Sequence, residues 1–206
     1  MKKSSPFLIS GPVGQLECQL ELPEQDRTSS IAVVLHPHPL HGGAMGNKVV
    51  VTLARALTEA GIPALRFNFR GVGNSEGKHD NGIGEQQDAA AAVAWLHENY
   101  PNRQLILAGF SFGAATAVRC AKSLQATQLI SCAAPASYFS NEAPEVDCDW
   151  LAIHGEADEV ASWPDAKLWL ESQSPAPEIV SKAGVGHFFH GELSWLRETV
   201  AERLPK

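Results

Sequence analysis

The sequence lacks any apolar run of the ~20 residues that a membrane-spanning helix requires. Its first ten residues contain two lysines, and the apolar run among them extends only from Phe7 to Ile9. A secretory signal needs an apolar stretch of roughly 7 to 15 residues, so no signal is expected here. We therefore predict a cytoplasmic protein that has no membrane partner.

Cysteine is scarce, and its spacing indicates neither a metal site nor a disulfide framework. The chain has four cysteines, Cys18, Cys120, Cys132 and Cys148, and no two of them form a C-x-x-C pair. In a protein without a secretory signal, isolated cysteines of this kind are expected to be reduced thiols in the core. This expectation agrees with a cytoplasmic location.

Positive charge is in deficit over the whole chain. Lysine and arginine together number 16 against 23 aspartates and glutamates, which gives a net charge of −7. Nucleic acids and anionic membranes attract proteins that carry basic patches, and no Lys/Arg cluster relieves the deficit here. We therefore expect no nucleic-acid partner.

Strands and helices alternate along most of the sequence. The 206 residues contain no repeat or linker and predict a single domain over residues 1–206. Strands are predicted at 31–35, 64–69, 105–108, 129–133, 150–153 and 178–181, after two antiparallel strands at 7–9 and 16–22. Those at 31–35 and 105–108 are apolar throughout, as expected of strands covered on both faces. Helices are predicted at 47–60, 85–99, 111–124, 163–171 and 192–204. This order predicts an α/β fold with a mostly parallel sheet and helices on both faces.

The stretch Gly109-Phe110-Ser111-Phe112-Gly113 joins a buried strand to a helix of small residues. In a G-x-S-x-G turn the glycines let strand and helix approach closely, and the strained bend exposes the serine hydroxyl at the edge of the sheet. A base and a substrate can both reach such a hydroxyl. The turn therefore predicts that Ser111 is a nucleophile.

An acid and a histidine follow later strands of the predicted sheet. Asp158 comes after the strand at 150–153, and His187 comes after the short strand at 178–181. Serine, acid and histidine in this chain order are expected when a G-x-S-x-G serine is the nucleophile. The histidine would take the serine proton, and the acid would orient the histidine and stabilise its charged form. We predict a catalytic triad of Ser111, Asp158 and His187.

Neighbouring residues leave alternatives open for two of these roles. Glu156 and Glu159 lie on the same loop as Asp158, and either glutamate is an alternative acid. His190 is the alternative base to His187.

Stabilising the negative oxygen of the reaction intermediate requires two backbone N–H groups. The first is expected from Phe112, directly after the nucleophile at the start of a helix. The second is expected from the loop after the strand at 31–35, where two prolines have no N–H to donate. We predict His38 as this donor and keep Leu40 as the alternative.

Five segments in chain order carry a family resemblance: His36-Pro37-His38-Pro39, Asn68-Phe69-Arg70-Gly71-Val72-Gly73-Asn74-Ser75, Gly109-Phe110-Ser111-Phe112-Gly113, His154-Gly155 with Asp158, and Gly186-His187-Phe188-Phe189. They resemble the α/β-hydrolase superfamily and look most like its small lidless members related to dienelactone-hydrolase-type proteins. The resemblance implies a hydrolase of a small ester or thioester, with no metal and no organic cofactor. The chain departs from dienelactone hydrolases proper in having Ser111 where a cysteine is usual. The link at 135–149 is too short for a lid.

Other functions are kept as alternatives. The run His36-x-His38-x-x-His41 has histidines at a strand end that can converge on zinc. The glycines of Gly71-x-Gly73-x-x-x-Gly77 are one residue off a dinucleotide-binding fingerprint. The same triad would also support acyl transfer to an acceptor other than water. A binding protein with an unused triad is a further alternative.

Overall fold

The structure, a computed structural model, describes residues 2–3, 5–26, 28–140 and 144–204. Within these ranges the chain forms nine strands: β1 (Lys2–Lys3), β2 (Phe7–Gly11), β3 (Gly14–Leu22), β4 (Ser30–Leu35), β5 (Ala64–Phe67), β6 (Gln104–Phe110), β7 (Gln128–Cys132), β8 (Asp149–Gly155) and β9 (Glu178–Lys182). The α-helices are α1 (Lys48–Glu59), α2 (Ile83–Asn99), α3 (Phe112–Cys120), α4 (Trp163–Glu171) and α5 (Leu193–Ala201). Short 3₁₀ turns cover Pro39–His41 and Ala136–Phe139.

The described strands form one sheet in the order β1-β3-β5-β4-β6-β7-β8-β9, and β2 pairs with β3 outside this path. β3 is antiparallel to β1, β2 and β5. The remaining pairs, from β5–β4 to β8–β9, are parallel. This topology confirms the predicted α/β fold, with antiparallel strands near the N-terminus and a mostly parallel sheet after them.

Helices cover both faces of the sheet because its central strands are apolar on both sides. In β4, Ile31 and Val33 pack in one core cluster, whereas Ala32 and Val34 pack in the other. The first cluster includes residues of α2, α3 and α4, and the second includes residues of α1 and α5. Strands covered on both faces read as continuous apolar runs, which is why the sequence predicted them well.

Helix α3 is shorter than its apolar pattern predicted. The pattern extended to Leu124, but the helix ends at Cys120. Beyond it the hydrogen bonds change spacing, and the Ala126 N–H donates to the Ala121 carbonyl five residues earlier. Gln125, which has a φ of 55°, turns the chain toward β7. The small residues that predicted a longer helix are therefore buried partly in this turn.

The link between β7 and β8 carries no lid in the part of the chain that the structure describes. Its regular structure there is the 3₁₀ turn Ala136–Phe139, while residues 141–143 of the predicted link lie outside the described residues. None of the described helices combines the length and hydropathy that a membrane span requires.

The glycine loop at 71–77 does not lead directly into a helix, because α2 begins only at Ile83. Gly73 has a φ of 57°, and a Cβ at this position would lie 2.6 Å from Asn68 Nδ2. A side chain there would be both strained and obstructed. These glycines therefore serve a tight turn, and the strand-to-helix geometry of a dinucleotide site is not formed.

Candidate active site

The ends of three parallel strands bring Ser111, Asp158 and His187 together. Ser111 follows β6 directly, Asp158 lies three residues after β8, and His187 lies on the loop after β9. The Oγ atom of Ser111 is 3.0 Å from Nε2 of His187, and Nδ1 of His187 is 2.8 Å from Oδ2 of Asp158. Residues that are 76 and 29 positions apart in the chain thus form one continuous chain of hydrogen bonds.

The turn at Ser111 has a strained backbone that close helix packing holds in place. Ser111 has φ 55° and ψ −119°, a conformation that side-chain-bearing residues seldom adopt. A Cβ on Gly109 would lie 2.4 Å from the carbonyl oxygen of Gly113. A Cβ on Gly113 would lie 2.4 Å from the carbonyl oxygen of Leu35. The two glycines therefore allow α3 to approach β4 and β6, and this approach presents the serine hydroxyl at the end of the sheet.

The direction of these hydrogen bonds follows from the chemistry of the carboxylate. An ionised Asp158 can only accept, so Nδ1 of His187 must carry the proton that bridges them at 2.8 Å. In the neutral imidazole Nε2 then has a free lone pair, and the Ser111 hydroxyl donates to it. This arrangement can remove a proton from the serine and later return one to a leaving group.

Asp158 is held in its ionised form by several donors. Burial by itself raises the pKa of this carboxyl, but hydrogen bonds from His154, from His187 and from the Ala161 backbone outweigh it and hold the pKa well below its usual range. The backbone N–H groups of Val160 and Ala161 donate to Oδ1 at 2.9 and 2.6 Å. The acid thus stays charged wherever the histidine can act as a base.

The alternative acids and the alternative base have other partners. Glu156 is exposed and accepts a hydrogen bond from the Ser181 hydroxyl at 2.7 Å. Glu159 accepts from the backbone N–H of His187 at 3.3 Å, so it contacts the histidine without reaching its ring. His190 is exposed, and its ring lies 5.8 Å from the ring of Phe188. Sequence order alone left these residues open, and the direction of each side chain separates them.

Two backbone N–H groups remain available near the serine. Within the described residues, the N–H of Phe112, the first residue of α3, and the N–H of His38 have no hydrogen-bond acceptor. The Leu40 N–H, in contrast, donates to His38 Nδ1 at 3.2 Å. The rings of His38 and Phe112 are 5.1 Å apart, so the two predicted donors belong to neighbouring residues. Leu40 is the weaker alternative because its N–H is already engaged.

His36 is buried among backbone groups, a role that the sequence did not reveal. Its Nε2 accepts from the Phe69 N–H at 3.0 Å, so Nδ1 carries the proton and donates to the Pro37 carbonyl at 2.6 Å. Burial lowers the pKa of His36 to about 4, although the Pro37 carbonyl and the Glu85 charge oppose the shift. With both nitrogens occupied, His36 has no lone pair for a metal. The rings of His41 and His79 lie 4.6 and 4.9 Å from that of His38, but across the described residues no group of three His, Cys, Asp or Glu side chains is arranged to hold a metal ion.

A cleft of about 540 Å³ opens in front of the serine. It is lined by Pro37, His38, His41, Gly42, Gly43, Asn47, Ser111, Pro135, Ser137, Tyr138, Val160, His187 and Phe188. Phe188 and Val160 are exposed at 43% and 59%. No charged Asp, Glu, Lys or Arg belongs to this described lining, so the cleft suits a neutral group that has some apolar surface.

The comparisons with known proteins agree with this geometry. The family described as "Serine aminopeptidase, S33" matches residues 32–144, which is more than half of the chain. The chain belongs to the α/β-hydrolase superfamily. Its α/β serine hydrolase fold is shared with a lidless member from Xanthomonas campestris, which is 40% identical, with 96% of this chain and 92% of that chain covered and a TM-score of 0.93.

Two further relatives of this α/β hydrolase are bacterial. An α/β serine hydrolase homologue from Coxiella burnetii is 42% identical, with 100% of this chain and 99% of that chain covered and a TM-score of 0.94. An uncharacterized protein from Rickettsia prowazekii is 50% identical over 107 residues, which cover 52% of this chain. That match spans less than half of the Rickettsia protein, 44% of its length.

Proposed function

We propose that this α/β hydrolase cleaves a carboxylic ester or thioester through an acyl-enzyme formed on Ser111. The observation that supports the proposal best is the hydrogen-bonded chain from Ser111 Oγ to His187 Nε2 at 3.0 Å and from His187 Nδ1 to Asp158 Oδ2 at 2.8 Å. Serine is a poor nucleophile until a neighbouring base takes its proton. Here a base lies within hydrogen-bond distance, and an ionised acid holds it in the required tautomer.

The reaction begins with attack of Ser111 Oγ on the acyl carbonyl carbon while His187 Nε2 takes the hydroxyl proton. The carbonyl oxygen becomes negative and accepts hydrogen bonds from the Phe112 and His38 N–H groups. The C–O or C–S bond to the leaving group then breaks, and His187 gives its proton to the departing alcohol or thiol. Water attacks the acyl-enzyme with the help of the same histidine, which finally returns a proton to Ser111.

The lining of the cleft favours an ester over a peptide with a free N-terminus. An aminopeptidase must hold the ammonium group of its substrate, and carboxylates are the side chains that do so. No Asp or Glu belongs to the described lining of the cleft. An uncharged acyl group fits this lining, and the proposed proton and acyl transfers require no metal or organic cofactor.

Pre-steady-state hydrolysis of p-nitrophenyl butyrate tests this function. We expect a burst of p-nitrophenol that approaches one equivalent per enzyme, followed by slower turnover, because the acyl-enzyme accumulates. Ser111→Ala is expected to abolish the burst. Ser172→Ala, in the segment after α4 and outside the cleft, is the matched control and is expected to behave as the wild type.

Three results would count against the proposal. No hydrolysis across a panel of esters and thioesters of different chain length would point to a binding protein with an unused triad. A burst that persists in Ser111→Ala would place the nucleophile elsewhere. Turnover only when an alcohol or thiol acceptor is added would indicate acyl transfer in place of hydrolysis.

A further inference from the structure

A second histidine, His154, lies against the acid of the proposed triad. His154 is near the end of β8, and only 2% of its surface is exposed. Its Nε2 donates to the carbonyl oxygen of Ala161 at 2.8 Å and lies 3.3 Å from Oδ2 of Asp158. The ring also packs against Trp163, with 5.4 Å between the ring centroids. None of the steps proposed above uses this buried imidazole.

The proton on His154 has a fixed position. A carbonyl oxygen can only accept a hydrogen bond, so Nε2 of His154 must carry a proton to bond with Ala161 at 2.8 Å. The nitrogen that lies 3.3 Å from Oδ2 of Asp158 is therefore a protonated one. An unprotonated nitrogen at 3.3 Å would instead repel the carboxylate.

The donors around Asp158 match its capacity to accept hydrogen bonds. A carboxylate offers about four lone-pair sites, two on each oxygen. Oδ1 receives the N–H groups of Val160 and Ala161, and Oδ2 receives Nδ1–H of His187. His154 Nε2 lies 3.3 Å from Oδ2 as a fourth nitrogen beside the carboxylate. Each carboxylate oxygen thus has two nitrogens close to it, and Nδ1 of His187 is one of the two at Oδ2.

Ala161 connects the two contacts of His154 into a closed ring. Its N–H donates to Oδ1 of Asp158 at 2.6 Å, while its carbonyl oxygen accepts from His154. A movement of the loop after β8 would therefore break the bond to His154 together with the bond to the carboxylate. Because β8 is paired with β7 on one side and β9 on the other, His154 ties this loop to an interior strand of the sheet.

We propose that His154 is a positioning residue that holds Asp158 in the orientation in which its Oδ2 meets His187. The inference rests on the proposed function, because it assigns His154 a role in the same triad. His154 is not part of the described cleft lining, so we expect it to act through Asp158, both by its contact with Oδ2 and through Ala161. Its loss is expected to lower kcat and to leave KM nearly unchanged.

Three substitutions at His154 distinguish the effect of its N–H donor from the effect of the volume of its ring. His154→Gln places an amide nitrogen the same number of bonds from Cα as Nε2, so it can keep the donor. His154→Asn places its amide nitrogen where Nδ1 was, and His154→Phe keeps a ring beside Trp163 with no donor. We expect His154→Gln to retain kcat within about threefold of wild type, and the other two to lose about tenfold or more, the usual effect of a lost hydrogen bond to a charged group.

A double-mutant cycle tells a positioning role from a general loss of structure. In an Asp158→Asn background the acid is already impaired, so adding His154→Phe is expected to lower kcat by less than about twofold. A purely structural role would lower kcat by the same factor in both backgrounds. Equal losses in both backgrounds, or a His154→Gln variant as poor as His154→Phe, would overturn the inference.

The proton NMR spectrum gives a readout that needs no substrate. A proton held between an imidazole nitrogen and a carboxylate at 2.8 Å is strongly deshielded, so we expect the His187 Nδ1 proton to resonate far downfield of the backbone amides. We expect this signal in the wild type and in His154→Gln, and its shift or loss in His154→Asn. If His154→Phe does not fold, the Gln and Asn variants decide the question, and an unchanged signal in the Asn variant would contradict the role.

The activity of the wild type shows whether a negative result contradicts the His154 inference alone or the proposed function as well. If the wild type neither hydrolyses esters nor reacts with a fluorophosphonate probe, the proposed function fails and the His154 inference fails with it. If the wild type reacts but all three His154 variants react at the same rate, only the inference fails.

Discussion

Two histidines near the same edge of the sheet are almost equally buried, yet their rings have different partners. His36, directly after β4, is 0% exposed, and His187, after β9, is 2% exposed. Both ring nitrogens of His36 bond to backbone groups, those of Pro37 and Phe69. Both ring nitrogens of His187 bond to side chains, those of Ser111 and Asp158.

The difference shows that burial alone does not distinguish a structural histidine from a reactive one. Backbone partners keep their protons, so His36 is fixed as a neutral ring that joins the segment after β4 to the segment after β5. A hydroxyl and a carboxylate are groups whose protons and charges can change during a reaction. We therefore expect substitutions at His36 to affect stability and those at His187 to affect activity.

Replacing His187 should lower activity more than any other change considered below, whereas replacing His36 should lower it only slightly. His187→Gln leaves no base for Ser111, and we expect kcat/KM to fall by about 10⁴-fold or more. His36→Gln keeps an acceptor for the Phe69 N–H and loses only the bond to Pro37, so a decrease of at most about tenfold is expected. The exposed His190 provides the control, since His190→Gln should retain wild-type activity. Rates of ester hydrolysis by all three variants test this. Equal losses of kcat/KM in His187→Gln and His36→Gln would contradict the difference proposed between the two histidines.

The acid of the triad should show the next largest effect. Asp158→Asn removes the charge that fixes the tautomer of His187, and we expect kcat to fall by about 10² to 10⁴-fold. Glu156→Gln is the matched control on the same loop, where the side chain bonds to Ser181, and it should remain within about twofold of wild type. A greater loss in Glu156→Gln than in Asp158→Asn, measured by the same hydrolysis assay, would assign the acid to Glu156.

The pH dependence of the free energy of unfolding should show that His36 is neutral in the folded protein. Burial lowers the pKa of His36 from 6.5 to about 4, so the unfolded chain binds a proton before the folded one does. The free energy of unfolding should therefore decrease as pH falls from 6.5 to 4, by about 3 kcal/mol over the whole window. In His36→Gln this contribution should be absent. Urea unfolding at several pH values measures it, and the same slope in variant and wild type would contradict the buried, neutral state of His36.

The smallest expected effect is that of Gly113→Ala on stability, because Gly113 lets α3 approach His36 and β4. A Cβ on Gly113 would lie 2.4 Å from the Leu35 carbonyl oxygen and 2.5 Å from that of His36. We expect Gly113→Ala to lower the free energy of unfolding by about 1 to 3 kcal/mol, as overpacking does. At Gly46 no atom of the described residues, apart from the glycine and its two chain neighbours, lies within 4 Å of such a Cβ, so Gly46→Ala should stay within about 0.5 kcal/mol of wild type. Thermal unfolding compares the pair, and equal melting temperatures would argue against the close packing.

The fold could be predicted from the sequence because its signals are local. Apolar runs such as 31–35 mark strands covered on both faces, and the glycines around Ser111 mark a tight turn from strand to helix. The proximity of Ser111, Asp158 and His187 could likewise be predicted, because each follows a parallel strand and these strands end at the same edge of the sheet. Their catalytic roles stay predictions. The oxyanion donors at Phe112 and His38 stay predictions.

The roles of the other histidines could not be predicted, because tertiary contacts set them. His36 bonds to Phe69, which is 33 residues away, and no spacing rule connects the two positions. The sequence indicated His154 only as part of the segment before Asp158 and gave no role for its side chain. Its bond to Ala161 depends on the turn between the two residues. The end of α3 at Cys120 was missed because the small apolar residues continue into the following turn.

Reaction with a fluorophosphonate probe tests the central claim most directly, because such probes form a covalent bond with an activated serine. Intact-mass and peptide mass spectrometry should show one equivalent of probe on Ser111 in the wild type. Labelling should be absent in Ser111→Ala and at least about 10³-fold slower in His187→Gln. A folded wild type that takes up no probe, or takes it up at another residue, would contradict the claim that His187 activates Ser111.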